Sequence, residues 1–267
     1  MSGEGRVVVV TGGTRGIGLG LARELLARGC RVVICGRTPE AVAKALAELG
    51  AGDRATGLEA DVSDREAVRL LWGHATATFG QVDFWINNAG LSTGRGSLHA
   101  IDPDEVEAVL AVNVLGVVNG CAVASEGMAA QPEGGWIWNM EGFGSRGEHQ
   151  DGMAVYGASK RAVQYLTEAL VRQAKGTPVN VGFLSPGIVA TDLLVGDYAD
   201  DPAGFEKVKK IFNILGDRVE TVTPWLADQV LAATKHGVRV AWLTRGKAAS
   251  RFATARFTKR DIFSEAP

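Results

Sequence analysis

The sequence predicts an α/β fold in which helices cover both faces of a parallel sheet. Apolar runs bounded by turns alternate along the chain with segments of helical periodicity. Strands that are apolar throughout are typical of parallel sheets buried on both faces. The 267 residues, 46% of them hydrophobic and 22% charged, have the composition of a globular protein with a sizeable core. A single doubly wound Rossmann-type domain over residues 1–267 is therefore expected.

Each element is predicted from the same two patterns. Strands are apolar runs of about five residues, whereas helices repeat apolar residues at a spacing of three or four and often end at glycine. Ser63 is expected to cap the third helix. The strands are expected at 6–10, 31–35, 56–59, 82–86, 135–139 and 180–184. The helices are expected at 17–28, 39–49, 64–78, 103–118, 155–173 and 205–215.

Two segments depart from this alternation. Residues 191–223 mix acidic turns with an apolar helix, and they follow a strand in a sheet whose ligands bind beyond the carboxyl ends of the strands. We expect this segment to form a small helical lid over the substrate. Residues 239–267 form a tail with seven basic residues and no acidic one up to Arg260. The tail suits contact with a membrane surface, and it equally suits a basic segment packed along the core.

Charge and cysteine content limit the class of protein. A net charge of −2 provides no field that would attract nucleic acid. The three cysteines match no metal-ligand spacing, so no metal site is expected. We expect all three to be buried thiols in a reducing compartment. We identify no apolar run of membrane-spanning length, and the residues before the first strand are too few for a targeting peptide. These features predict a cytoplasmic protein.

A glycine-rich turn between the first strand and the first helix predicts a dinucleotide site. Residues 11–18 are Thr-Gly-Gly-Thr-Arg-Gly-Ile-Gly. Their glycines allow a tight turn, a close approach of the backbone to a pyrophosphate and close packing of the helix, whose N-terminus faces the phosphates. The residues predicted to contact the cofactor here are Gly12, Thr14, Arg15, Gly16, Ile17 and Gly18.

The end of the second strand indicates which dinucleotide is bound. Sites for NAD place a carboxylate there to bind the ribose hydroxyls, and this chain has Gly-Arg-Thr at 36–38 with no acid. Arg37, together with Arg15, can hold the 2′-phosphate of NADP(H) through charge-assisted hydrogen bonds. We therefore expect NADP(H) as the cofactor.

The third and fourth strands also end in polar residues. Asp61, followed by Val62, is placed where a carboxylate could accept a hydrogen bond from the adenine amino group, although an isolated Asp in a loop more often caps a helix. Asn88, Ala89 and Gly90 follow the fourth strand and are expected to border the cofactor. An ordinary turn is an equal alternative for these three residues.

A tyrosine and a lysine supply the expected chemistry. Tyr156 and Lys160 are four residues apart at the start of a helix, so they project from one face. An ammonium beside a phenol favours the phenolate and lowers a pKa that is ordinarily about 10. Such a tyrosine can give a proton to a carbonyl, or take one from an alcohol, as hydride moves at a nicotinamide. Combined with the glycine loop, the pair predicts an oxidoreductase.

Together these motifs resemble the short-chain dehydrogenase/reductase family over nearly the whole chain. The resemblance implies that Tyr156 is the acid/base and that Lys160 lowers its pKa and holds the nicotinamide ribose. It implies that Asn113, in Asn-Val-Leu-Gly, anchors a water of the proton relay. It also implies a homodimer or homotetramer. Contacts to the nicotinamide end are implied for Pro186, Gly187, Ile188, Val189 and Thr191.

One position departs from the family pattern. The family usually has Asn-x-Ser-Ser after the fifth strand, and its second serine polarises the substrate carbonyl. Residues 139–145 are Asn-Met-Glu-Gly-Phe-Gly-Ser, so Gly142 stands at that place. We expect Ser145 to supply the missing hydroxyl. Glu141 is the alternative, and only when protonated, because a carboxylate cannot donate a hydrogen bond.

The same loop narrows the resemblance. Residues 139–145, 185–194 and 212–215 are similar to the plant chlorophyll b reductases, which implies reduction of the 7-formyl group of a chlorin. Glycines at 142 and 144 leave space over the nicotinamide, and an apolar lid suits a large substrate, although its residues equally suit the core face of a helix. The lid residues concerned are Leu193, Leu194, Phe205, Ile211, Phe212 and Leu215.

The sequence therefore predicts an NADP(H)-dependent reductase of aldehydes or ketones, with a bulky apolar substrate such as a formyl chlorin. A 3-oxoacyl-thioester reductase, a small-ketone reductase or an alcohol dehydrogenase is the alternative within this class. An NADP(H)-binding regulator without turnover is the alternative outside it. That alternative would bind the cofactor without oxidising NADPH in the presence of any carbonyl compound.

Overall fold

A parallel sheet of seven strands forms the centre of the computed structural model, which describes residues 3–199 and 201–264. The sequence-based expectations for residues 1–2 of the domain, residue 200 of the lid and residues 265–267 of the tail lie outside the described residues. The predicted α/β fold is confirmed. The strands are β1 (Val7–Val10), β2 (Arg31–Gly36), β3 (Ala55–Glu59), β4 (Phe84–Asn87), β5 (Gly135–Met140), β6 (Val179–Ser185), β7 (Val189–Ala190), β8 (Asp217–Arg218) and β9 (Arg239–Ala241).

The order of the strands places the functional edge. The sheet runs β3-β2-β1-β4-β5-β6-β9, with every pairing parallel, while β7 and β8 pair separately. The strand order reverses between β1 and β4, which opens a crevice at their carboxyl ends. The helices are α1 (Gly16–Ala27), α2 (Pro39–Leu49), α3 (Arg65–Phe79), α4 (Pro103–Leu110), α5 (Gly116–Ala129), α6 (Ala154–Gln173), α7 (Asp192–Gly196), α8 (Pro202–Leu215), α9 (Val219–Ala232) and α10 (Arg245–Thr254).

The first strand shows how the core is divided between the two faces. All four residues of β1 are valine and all are buried. Val8 and Val10 join one hydrophobic cluster and Val9 joins the other, because successive side chains of a strand point to opposite faces. The sheet is therefore covered on both sides, as its uninterrupted apolar strands predict.

Two predicted details differ in the structure. Asp64, rather than Ser63, caps α3, since its carboxylate accepts a hydrogen bond from the Glu66 amide at 2.8 Å. The helix expected at 103–118 continues to Ala129, because a π-helical turn over Ala111–Leu115 joins α4 to α5. The helix does not end near residue 118, because the sequence there has neither a proline nor a C-capping turn.

This long helix has membrane-like composition. Pro103–Ala129 is long and apolar enough to cross a membrane by length and composition alone, although we identified no such run in the sequence. The core helix of a soluble protein passes the same test, and 44% of the apolar window is buried inside the molecule. The side-chain amide of Asn119 donates hydrogen bonds to the carbonyls of Val62 and Ser63, so the helix packs against the loop after β3.

The segment that the sequence predicts to form a lid has a small core of its own. Phe205 and Phe212 pack against Tyr198 of the α7–α8 connection and against Phe263 of the tail. Phe212 is 7% exposed, whereas Ile211 is 47% exposed. The apolar residues of the lid therefore serve mainly to hold it together, which was the alternative to a substrate-lining role.

The basic tail is integrated into the domain. Its first residues form β9, which pairs with β6 at the edge of the sheet. Arg251 and Arg260 both contact the carboxylate of Asp217 in β8, at 2.8 Å and 2.5 Å. The indole of Trp242 donates to the same carboxylate at 2.6 Å. Asp217 is 2% exposed, so a buried acid binds part of the basic tail to the core.

Asp217→Asn is expected to lower the free energy of unfolding by about 2–3 kcal/mol, less than for a fully buried pair because both arginines are partly exposed. Burial alone would raise the pKa of Asp217, but Arg251, Trp242 and Arg260 together lower it below its ordinary 3.8. Its contribution is therefore present above pH 3.8 and is lost as the pH falls through the folded-state pKa. Denaturant titrations at several pH values check this: the deficit should narrow in acid.

Asp228→Asn is the matched control for this variant. Asp228 also accepts a hydrogen bond from an arginine, Arg28, at 2.7 Å, but its side chain is 50% exposed. Little change in stability is expected there, because exposed ion pairs contribute little. Equal losses in the two variants would contradict the assignment of Asp217 as the anchor of the tail.

Candidate active site

The glycine loop after β1 is fixed to the end of β4. Gly12 has φ +62°, and a Cβ there would lie 2.8 Å from the Cα of Ala89. The Asn88 side chain donates to the carbonyls of Thr11 and Gly12 at 2.9 and 3.1 Å. The Thr11 hydroxyl in turn accepts from the amides of Asn88 and Ala89. Asn88 and Ala89 thus shape the loop, which the sequence alone left as a possible ordinary turn.

The loop suits a pyrophosphate on physical grounds. The N-terminus of α1 has no side-chain cap and no acidic residue in its first turn, so its first amides are available to an anion. Gly16, with φ +54°, begins the helix, and Thr191 after β7 lies against it, 3.4 Å from a Cβ placed at that glycine. A side chain at Gly18 would meet the Gly12 carbonyl and the Asn88 amide. The residues present therefore fit the phosphates of a dinucleotide.

Two exposed arginines flank the end of β2. A Cβ at Gly36 would lie 2.6 Å from the methyl group of Thr14, so the glycine loop packs directly over the end of this strand. Arg15 follows Thr14 in the chain and Arg37 follows Gly36, and both arginines are exposed. Neither forms an ion pair with an acid among residues 3–199 and 201–264. This arrangement is compatible with the predicted 2′-phosphate site.

The residues after β3 have partly local roles. One carboxylate oxygen of Asp61 accepts hydrogen bonds from the amide and hydroxyl of Ser63, at 2.9 and 2.7 Å. Val62 is buried under Gly116, where a Cβ would lie 2.6 Å away. Asp61 is exposed, and its second oxygen makes no hydrogen bond to the described residues.

Tyr156, Lys160 and Gly142 converge at the carboxyl end of β5. A Cβ at Gly142 would lie 2.5 Å from the hydroxyl of Tyr156 and 3.1 Å from the Lys160 side chain. The Lys160 ammonium donates to the Met140 carbonyl at 3.4 Å and lies 5.7 Å from the centre of the Tyr156 ring. The missing side chain at 142 is therefore what leaves room for the phenol.

The electrostatics of the pair differ from the expectation. Burial raises the pKa of Tyr156, and the negative charge of Asp197 raises it further. Burial lowers the pKa of Lys160 to about 8. The sequence suggested a lowered tyrosine pKa, but it could not show the desolvation or the nearby acid. A protonated phenol at neutral pH is suited to donating a proton.

Asn113 connects two parts of the site. It is fully buried in the π-helical turn between α4 and α5. Its side-chain oxygen accepts from the Leu91 amide, and its nitrogen donates to the Leu91 carbonyl and to the Ser159 hydroxyl, all at 2.8–2.9 Å. Gly90 lies between Asn113 and Lys160, within 3.7 Å of both as measured from a Cβ placed there. Asn113 therefore fixes the loop after β4 against the first turn of α6.

The structure argues against Ser145 as the group that polarises a carbonyl. Ser145 is 2% exposed, and its hydroxyl donates to the Lys160 carbonyl and accepts from the Gly142 amide. The loop turns this serine into the interior, so the sequence-based assignment is revised to a role in holding the loop. Glu141 stays the alternative donor: one oxygen of its buried carboxyl group accepts a hydrogen bond from Arg239 at 2.7 Å, the other has no hydrogen-bond partner among the described residues, and burial raises the pKa of the group, which favours its protonated form.

The segment after β6 borders the same crevice. Gly187 has φ +75°, and a Cβ there would lie 2.7 Å from the Leu243 side chain. Val189 is buried in β7, and Ile188 packs against the core of the lid. Thr191 caps α7 through the Leu194 amide and lies beside Gly16. The chain from Pro186 to Thr191 thus leads from the sheet edge to the glycine loop.

Two charged residues near the site were not predicted from the sequence. Burial raises the pKa of Asp197, at the end of α7, to about 6, while the Ser92 hydroxyl and the charge of Arg95 oppose that rise. Arg95 lies in the loop after β4 and stacks over the ring of Tyr198, 4.2 Å from its centre. No local motif marks either residue, because the contact joins segments about 100 positions apart.

Comparison with known families identifies the fold and the chemistry. The family model described as short chain dehydrogenase matches residues 6–201. A chlorophyll(ide) b reductase of Arabidopsis thaliana, NOL, is 36% identical over 86% of this chain and 66% of its own length. A probable chlorophyll(ide) b reductase of Oryza sativa, NYC1, is 31% identical over 97% of this chain and 54% of its own length. The recognised resemblance to this family and subfamily is confirmed.

A solved structure supports the cofactor class. A 3-ketoacyl-(acyl-carrier-protein) reductase from Brucella melitensis, complexed with NADH, superposes with a TM-score of 0.78 at 26% identity, covering 90% of this chain and 98% of that one. A nicotinamide dinucleotide is therefore the cofactor class of this oxidoreductase fold. Among the described residues, no group of three or more His, Cys, Asp or Glu side chains is placed to hold a metal ion.

The predicted cytoplasmic location is wrong. Four chlorophyll(ide) b reductases among the relatives are named chloroplastic. The chain spans only 51–66% of their lengths. The few residues before β1 therefore carry no information on the compartment.

Proposed function

This chain belongs to the short-chain dehydrogenase family, and we propose that it is an NADP(H)-dependent reductase of bulky aldehydes, with formyl chlorins as its substrate class. The observation that carries the proposal is the pair of a half-buried Tyr156 and a buried Lys160 facing Gly142 at the carboxyl edge of the sheet. The similarity of this chain to chlorophyll(ide) b reductases supports a formyl chlorin as the substrate. Likeness to a 3β-hydroxysteroid dehydrogenase of Eggerthella lenta, 33% identical over 75% of this chain, also supports a polycyclic substrate.

When bound, the reduced nicotinamide supplies the hydride, and the residues of this chain manage the proton. We assign Tyr156 as the proton donor to the carbonyl oxygen, because a phenol is protonated at pH 7 and the Tyr156 hydroxyl lies beside Gly142 at the carboxyl end of β5. Lys160, with a pKa of about 8, stays mostly protonated there and stabilises the phenolate left behind. Asn113 and Ser159 hold the first turn of α6, and with it Tyr156, in place. The absence of a side chain at Gly142 leaves the room that the phenol of Tyr156 occupies.

The glycine loop and its neighbours would hold the dinucleotide. The amides at the start of α1 would bind the pyrophosphate, Thr191 would lie beside it, and Arg15 and Arg37 would bind the 2′-phosphate of NADP(H). Asp61, with Val62 beneath it, is assigned to the adenine end. The segment from Pro186 to Thr191 is assigned to the nicotinamide end. Lys160 is assigned to the nicotinamide ribose.

Arg37→Ala is expected to raise the KM for NADPH at least roughly 10-fold while leaving the KM for NADH nearly unchanged, because a charge-assisted hydrogen bond to the 2′-phosphate is lost. Arg15→Ala should act in the same direction. Initial rates with each cofactor check the prediction. Arg172→Ala, an exposed arginine at the far end of α6, is the control. Equal use of the two cofactors by the parent enzyme would contradict the NADP(H) assignment.

The experiment that tests the proposed function is a substrate series assayed by NADPH oxidation. It should include a formyl chlorin, polycyclic and monocyclic aromatic aldehydes, an acyl thioester and a small ketone. We expect kcat/KM to rise with the size of the carbonyl compound and to be highest for the formyl chlorin. A monotonic preference for the smallest substrates would contradict the proposal.

A second candidate is reduction of a 3-oxoacyl thioester. It is favoured by the structural likeness to the Brucella reductase, which covers almost all of that chain. The same series distinguishes the two functions, since a thioester reductase would act on the acyl thioester and leave the formyl chlorin unchanged. The lid core of Tyr198, Phe205 and Phe212 is compatible with either substrate.

We also propose that the working form is a homodimer or homotetramer. Leu110 and Leu115, at the junction of α4 and α5, are 43% and 47% exposed. These apolar side chains offer a surface that a second copy could cover.

The tail retains exposed basic residues suited to a membrane surface, although β9, Arg251 and Arg260 already have partners within the domain.

A further inference from the structure

The loop after β4 places a guanidinium without a close acidic partner beside the active site. Arg95 is partly buried, and its Nε is fully buried without a hydrogen-bond partner. One terminal nitrogen contacts the sulfur of Met153 at 3.3 Å, and the ring of Tyr198 covers one face. In the described part of the chain, no carboxylate lies within 4.0 Å of it.

Its neighbours place Arg95 at the substrate end of the site. Met153 immediately precedes α6, three residues before Tyr156. Tyr198 follows Asp197, whose charge acts on both Tyr156 and Arg95. Arg95 therefore lies between the residue that precedes the catalytic helix and the segment that follows α7.

Such an arrangement is costly unless something compensates for it. A guanidinium has five donors, and a thioether and an aromatic face satisfy few of them. Burying a charge without a hydrogen-bonded partner of opposite sign is unfavourable. The same loop carries a second unsatisfied group, since the hydroxyl of Thr93 is buried without a partner among the described residues. The loop thus holds two polar groups whose hydrogen-bonding capacity is unused within the described part of the chain.

We propose that Arg95 binds a free carboxylate carried by the carbonyl substrate, at a distance from the group that is reduced. The planar fork of donors matches a carboxylate, and the partly buried setting strengthens the contact. The inference rests on the proposed function and makes it more specific. The preferred substrate is a bulky aldehyde with a free acid side chain, and for a chlorin this is the free acid rather than its ester.

Asp197 gives the proposal a second, opposite test. Its carboxylate repels an incoming anion, although Ser92 and Arg95 both favour its charged form. Removing that charge should strengthen binding of a substrate carboxylate, whereas removing the charge of Arg95 should weaken it. A purely structural role for the pair would make both substitutions act alike on acids and esters.

The experiment compares chlorophyllide b with its methyl ester, and a carboxylated polycyclic aldehyde with its methyl ester, as substrates of the NADPH-saturated full chain. For the parent enzyme we expect kcat/KM for the acid to exceed that for the ester by roughly 10-fold or more, mainly through KM. In Arg95→Gln the ratio should approach one, in Arg95→Lys it should be intermediate, and in Asp197→Asn it should rise. Arg172→Gln, at the other end of α6 and about 24 Å along the helix from Tyr156, should leave the ratio unchanged.

The acid-to-ester ratio is measured within each variant, so a general loss of folded protein cancels. If the parent enzyme and Arg95→Gln reduce the aldehydes with the same acid-to-ester ratio of kcat/KM, the inference is overturned and the proposed function stays intact. A parent enzyme that reduces none of the four aldehydes would overturn both.

Discussion

Tyr156→Phe is expected to lower kcat by about 100-fold or more, the lower end of what general acid catalysis contributes. The substitution removes only the hydroxyl that donates a proton to the carbonyl oxygen, and the ring continues to fill its place beside Gly142 and Lys160. Affinity for NADPH should stay within a few-fold of the parent value. Steady-state rates with an aldehyde, together with NADPH titration by fluorescence, measure the two quantities separately.

Tyr165→Phe is the matched control, because it removes the same hydroxyl from the same helix at a position that is 72% exposed. It should leave kcat unchanged. Near-normal turnover by Tyr156→Phe would contradict the assignment of Tyr156 as the acid.

Gly142→Ala is expected to lower kcat by about 100-fold, the loss that a displacement of about 1 Å produces in a positioned catalytic group. The added methyl group would lie 2.5 Å from the Tyr156 hydroxyl and 3.1 Å from the Lys160 side chain, so the phenol must move. The backbone of Gly142 does not have a positive φ, so the substitution tests space rather than conformation. Gly142→Ser, which restores the serine usual in the family, should be impaired for the same reason.

Gly73→Ala provides the comparison for this substitution. Gly73 lies in α3 with nothing within 4 Å of an added Cβ, so full activity and slightly higher helix stability are expected. If Gly142→Ser were as active as the parent enzyme or more so, the serine position would be functionally intact. The phenol would then not depend on the space that Gly142 leaves.

Much of the fold follows from local sequence patterns, and its exceptions have physical causes. The helix Pro39–Leu49 was predicted at both ends, because a proline opens it and a glycine with φ +57° closes it. Helix α9 was missed because Pro224 interrupts its pattern, although the proline lies within the first two turns of the helix. Strand β9 has only three residues and lies inside the basic tail. Its pairing with β6 is a long-range contact that composition cannot reveal.

The site was predictable where function depends on local geometry. A glycine loop at a strand–helix junction and a Tyr–Lys spacing of four each specify their arrangement within one element. Ser145 was misassigned because the direction in which a loop turns its side chains depends on packing, here against the Lys160 carbonyl. Arg95 and Asp197 were not recognised because only the folded chain brings the loop after β4 near the end of α7, where the charge of Arg95 acts on Asp197.

The most direct test of the central claim is an isotope-labelling experiment that follows the transfer of hydride from NADPH to the substrate. NADPH carrying deuterium at the transferable position of the nicotinamide is incubated with the full chain and a formyl chlorin, and the product is analysed by mass spectrometry. We predict a hydroxymethyl product with one deuterium on the former formyl carbon, formed by the parent enzyme and Tyr165→Phe and nearly absent with Tyr156→Phe. NADPH that binds tightly while every carbonyl compound offered is recovered unreduced and unlabelled would contradict the proposed reduction, and would identify the chain as a cofactor-binding regulator.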